Sequence, residues 1–67
     1  MMDFPVQLDR RASVSLQEQL TEQLRRAILD GRLASGMRLP STRTLAAETR
    51  ISRNVVLAAY DELYAEG

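Results

Sequence analysis

Cysteine, histidine, lysine and tryptophan are all absent from this 67-residue chain. The first two absences exclude disulfides, Cys or His metal sites and nucleophile pairs that need a Cys or a His. The third excludes a Schiff-base lysine within these residues. Aromatics are scarce, two Tyr and one Phe, so the core has to be aliphatic. No apolar run approaches the ~18 residues of a membrane span, and the opening stretch, with Asp3, is not a secretory signal. The expectation is a cytoplasmic module with no membrane attachment. Its length allows one small domain, whose core supplies only about 3–5 kcal/mol.

Residues 1–12 show no period. Phe4-Pro5-Val6-Gln7-Leu8 alternates apolar with polar and reads as an extended N-terminal arm that ends in Arg10-Arg11. Residues 13–67 read as a helical domain. Leu16, Leu20, Leu24, Ala27 and Ile28 recur at helical spacing and share one face. Ser15 with Glu18 fits a capping box, with Ser13 as a rival cap, and Asp30-Gly31 stops the helix. Glu18, Glu22, Arg25 and Arg26 fall on its outward face and read as solvated, with Glu22 and Arg26 as an i,i+4 pair. Gly31 to Pro40 is a connector in which Met37-Arg38-Leu39 could form a short strand. Pro40 disfavours helix at Leu39, so a second helix starts after Ser41 as N-cap. A third starts after Ser52, with Val56, Ala59, Tyr60 and Leu63 inward. Helices are expected near 15–30, 41–49 and 52–66, and the Gly67 that follows suits a C-cap.

Two short helices around the Arg50-Ile51 break make a helix-turn-helix pattern. Charge concentrates there. Arg32, Arg38, Arg43, Arg50 and Arg53 face only Glu48 in residues 32–53, so this stretch is strongly basic inside a chain whose formal net charge is zero. A polyanion responds to that local field, which is screened over roughly 10 Å. Ser52, Arg53 and Asn54 stand at a helix start, where free N–H groups meet phosphate, Arg can read guanine and Asn can read adenine. Arg43, in the first turn of the preceding helix, can reach backbone or groove. Ser41 and Thr42 are candidate phosphate contacts, and Ser41 serves equally well as a pure cap.

The run from Gly31 through Ser41-Thr42-Arg43-Thr44-Leu45-Ala46, followed in register by Ser52-Arg53-Asn54-Val55-Val56 and Leu63-Tyr64-Ala65-Glu66-Gly67, resembles the GntR family of bacterial transcription regulators. The resemblance spans residues 14–67. It implies a mainly α fold, the three-helix part of a winged helix-turn-helix domain whose two-stranded wing would follow Gly67. It also implies binding to double-stranded DNA as a homodimer, through Ser41, Thr42, Arg43, Ser52, Arg53 and Asn54. Val6-Gln7-Leu8-Asp9-Arg10 and Val56-Leu57-Ala58-Ala59-Tyr60-Asp61-Glu62-Leu63 further resemble the MocR-type subgroup. In that subgroup a C-terminal, aminotransferase-like domain binds pyridoxal phosphate; no cofactor is expected in the present residues. Thr49-Arg50 departs from the family's usual Leu-Gly, so a positive φ there would strain Arg50. Leu57 replaces a frequent Arg.

Two other function classes stand beside this one. A small helical interaction or dimerisation module could dock a partner along Leu57, Asp61 and Tyr64. An enzyme would need a constellation the sequence lacks: there is no Gly-rich phosphate loop, and Asp61 and Glu62, adjacent on a helix, face different directions.

Overall fold

The computed structural model describes residues 6–31 and 39–66. The expectations placed on residues 1–5, on the connector 32–38 with Arg32, Met37 and Arg38, and on Gly67 lie outside the described residues. Three helices form, α1 (Leu16–Leu29), α2 (Thr42–Thr49) and α3 (Arg53–Glu66). Among the described residues there is no strand, and Leu39, read as the end of a possible short strand, has no regular structure. The mainly α class and the three helices are those expected from the sequence.

Local chemistry sets the helix ends. Ser15, with extended backbone, caps α1 by accepting from the Glu18 N–H at 3.1 Å, so it takes the cap position in place of Ser13. At the other end Gly31 adopts φ 80°, the left-handed conformation that follows a helix without steric cost, and its N–H reaches the Ile28 carbonyl at 3.2 Å. Ser41 caps α2 through the Thr44 N–H at 3.1 Å, and Ser52 caps α3 through the Val55 N–H at 3.2 Å.

One core unites the helices. Leu20, Leu24 and Ala27 of α1, Leu45 and Ala46 of α2, and Val56, Ala59 and Tyr60 of α3 are buried together. Val6, Leu8, Leu39, Ile51 and Leu63 pack around them. The Tyr60 hydroxyl donates to the Pro40 carbonyl at 2.7 Å, pinning α3 to the entrance of α2. Burial, and then Tyr64, push the Tyr60 phenol up from 10.0 to about 12.

Two details differ from the sequence expectation. Ile28 shares the apolar face yet is 40% exposed. Its angular position is not the cause, because Thr21, seven residues earlier on nearly the same line, is buried. The cause is axial: Glu66, at the end of α3, meets α1 at Arg25, and Ile28 lies nearly a turn further on. Arg25, expected on a solvated face, instead bridges Glu22 on its own helix and Glu66 on α3. That ion pair holds the Glu66 carboxyl below its ordinary 4.5 and raises the Arg25 guanidinium. On the same stripe, nearer the start of α1, Gln17 donates to Glu62 at 3.1 Å. The Glu22–Arg26 pair read from spacing is present, but longer, at 3.4 Å.

Candidate nucleic-acid interface

The turn between α2 and α3 is three residues long. Arg50 ends α2 at φ 60°, ψ 41°, the left-handed region that the departure from Leu-Gly put in question. A side chain there carries strain of about 1–2 kcal/mol. The geometry closes the helix all the same, since the N–H groups of both Arg50 and Ile51 point to the Ala46 carbonyl. Thr49, where an apolar residue is usual, directs its hydroxyl to the Leu45 carbonyl at 2.6 Å and so brings no unpaired polar atom into the half-buried turn. Ile51 packs against the core, which anchors the turn between two exposed neighbours, Arg50 and Ser52.

This arrangement exposes Ser52, Arg53 and Asn54 at the start of α3. Their backbone N–H groups and the positive end of the helix dipole face outward with them. Among the described residues no carboxylate pairs with Arg43, Arg50 or Arg53. Arg43 is exposed in the first turn of α2 and Thr42 beside it is half-buried. With eight residues, α2 is about 12 Å long.

The two cap serines are not equivalent. Ser41 accepts from the Thr44 N–H and also donates its own proton to Thr44 Oγ1 at 2.9 Å. The cap reading of Ser41, left open by the sequence, therefore accounts for both its donor and its acceptor. Ser52 accepts from Val55, and among the described residues no acceptor takes its proton. Ser52 thus has an uncommitted hydroxyl donor among the described residues.

The arm supplies an interaction that motif reading missed. Gln23 accepts from the Gln7 N–H at 2.9 Å and donates to the Gln7 carbonyl. Gln19 does the same for Asp9, accepting at 2.8 Å and donating at 2.9 Å. Arg10, next along, donates to the carbonyl of Arg50 in the helix-turn-helix turn. The available signal was a pair of glutamines four apart on α1, opposite an arm whose alternate residues, Val6 and Leu8, turn inward.

No helix among the described residues is long and apolar enough to cross a membrane. Residues 16–67 match the family described as bacterial regulatory proteins, gntR family. The chain is 50% identical over 60 residues to the probable rhizopine catabolism regulatory protein MocR of Rhizobium meliloti, covering 90% of this chain and 12% of that protein. It is 42% identical over 67 residues to the HTH-type pyridoxine biosynthesis transcriptional regulator PdxR of Corynebacterium glutamicum, covering 100% and 15%. Its fold matches YtrA from Sulfolobus acidocaldarius, a GntR-family transcription factor, with TM-score 0.89 and 31% identity over 92% of this chain and 66% of that one. The chain therefore spans a small part of the length of the curated relatives it matches, and the MocR-type resemblance extends across most of it. With an arm-braced trihelical core, a tight turn and an exposed basic helix start, the chain belongs to the GntR family of bacterial regulatory proteins, whose helix-turn-helix DNA-binding domain it carries.

Proposed function

We propose that this domain reads operator DNA with α3 as its recognition helix, as part of a larger cytoplasmic regulator that acts as a homodimer. The observation that carries the reading is the exposed, cation-rich start of α3, where Ser52 keeps a free donor and Arg53 and Asn54 project together. In a major groove, Arg53 suits guanine O6 and N7, and Asn54 suits adenine N6 and N7. Arg43 fits a phosphate on the flank, with Thr42 beside it. Ser41 supports this surface as a cap, and binding a phosphate would cost it the bond to Thr44.

The role is binding, with no reaction assigned to these residues. The MocR-type resemblance supports a pyridoxal-phosphate-binding domain elsewhere in the parent protein, since these residues contain no lysine to hold that cofactor. Duplex binding measured against salt concentration tests the reading. Each phosphate neutralised contributes about 0.9 to the log–log slope. A slope of several units supports DNA binding, whereas salt-insensitive association would favour the protein-docking alternative along Leu57, Asp61 and Tyr64.

A further inference from the structure

We infer that Arg10 is a positioning residue for DNA reading: held on an arm clamped to α1, it grips the turn backbone and fixes the direction in which Arg53 and Asn54 leave α3. The inference rests on the DNA-reading function proposed above and adds a residue remote in sequence from the helix-turn-helix.

The clamp makes the placement of Arg10 determinate. Gln23 and Gln19 each bond both the N–H and the carbonyl of one arm residue, Gln7 and Asp9 respectively. Each side-chain amide thus plays the part of a neighbouring strand. The spacings agree, because four residues of helix rise about 6 Å and two residues of extended chain span about 6.6 Å. Asp9 then turns the chain: its Oδ1 accepts from the Arg11 N–H at 2.9 Å and its carbonyl from the Ala12 N–H at 3.3 Å. Arg10 sits at the tip of that turn, and its guanidinium donates to the Arg50 carbonyl.

The bond falls where the helix-turn-helix needs it. Arg50 holds a left-handed conformation that a non-glycine residue leaves readily, and its carbonyl lies two residues before the cap of α3. If that turn relaxes, the first turn of α3 swings with it. The choice of partner also argues against a purely local surface interaction. Among the described residues Arg10 has no carboxylate partner, and its guanidinium goes instead to a backbone carbonyl of the turn, 40 residues away.

The test is a double-substitution cycle in the full-length protein, read on a duplex recovered from a random pool by the unsubstituted protein, at two salt concentrations. Arg10→Ala should weaken binding about three- to ten-fold, the size of one hydrogen bond, with the salt slope unchanged. Arg10→Lys should recover part of the loss. In the Arg50→Gly background the turn no longer needs the brace, so Arg10→Ala should cost less than about two-fold. In the 67-residue chain, Arg10→Ala should speed amide exchange at Ile51 without speeding it at Leu24. Equal losses in both backgrounds with a slope lower by about 0.9 would make Arg10 a phosphate ligand and overturn the inference. So would unchanged binding or unchanged Ile51 exchange. Arg53→Ala is the control: if it leaves base preference intact, the DNA-reading function fails and the role of Arg10 falls with it.

Discussion

Ser52, at the cap of α3, and Tyr60, within it, show how single side chains serve the surface and the core. Ser52 sets the first turn of α3 by accepting from Val55, and its side chain is exposed, with no acceptor for its proton among the described residues. Ser52→Ala should lower stability by about 0.5–2 kcal/mol and also weaken duplex binding, whereas the same change at Ser41 should lower stability with a smaller effect on binding. Chemical denaturation paired with anisotropy separates the two serines. Tyr60 is buried with its hydroxyl on the Pro40 carbonyl. Burial favours the neutral phenol, so its ionisation is displaced to about 12 in the folded chain. The neutral form's advantage is fully present below pH 10 and is lost as the pH rises from there towards 12. Tyr60→Phe should cost about 0.5–1.5 kcal/mol at neutral pH, and the gap from the unsubstituted chain should close across that alkaline window. Unfolding followed by circular dichroism at graded pH checks both parts.

At the scale of elements, α3 is the hub, since both α1 and α2 pack against it. Leu20 of α1 is fully buried in the shared core, and Leu20→Ala should cost about 2–5 kcal/mol, enough to unfold so small a domain. The turn after α2 points the other way. Arg50→Gly relieves a left-handed side chain and should stabilise the fold by about 0.5–1 kcal/mol, measured as a higher denaturation midpoint with an unchanged m-value. The helices and their serine caps were legible because each depends on neighbours a few residues away, whereas a positive φ at Arg50 was raised only by the departure from the family's usual Leu-Gly. The exposure of Ile28 was not legible, since it depends on where α3 meets α1 and no local period encodes that. The ion pair of Arg25 with Glu66 and the bond from Arg10 to Arg50 join residues 41 and 40 positions apart. Spacing cannot choose such partners. The glutamine clamp lies between these cases: its two residues are conspicuous only once the arm is known to run back along α1. Of the site residues, the exposure of Arg43, Ser52, Arg53 and Asn54 followed from facing rules, whereas the different commitments of the two serine protons required coordinates.

For the whole molecule, the division between positioning and reading is the central matter. A single copy of this domain offers few cations to phosphate, so the isolated chain should bind duplex weakly, and a dimer that presents two copies of α3 would supply the affinity of a regulator. In the proposed function, Arg53 and Asn54 read bases and Arg43 positions the domain on phosphate. The most direct measurement is binding by the full-length protein to a set of duplexes that differ by single base pairs, at two salt concentrations, for Arg53→Ala and Arg43→Ala. Arg53→Ala should flatten the preference at one position per half-site, a loss of about 1–3 kcal/mol of discrimination. Arg43→Ala should weaken every duplex to a similar degree and lower the salt slope by about one unit for each phosphate that Arg43 neutralises. If Arg53→Ala kept the full base preference at every position, α3 would not be the recognition helix and the account would be wrong.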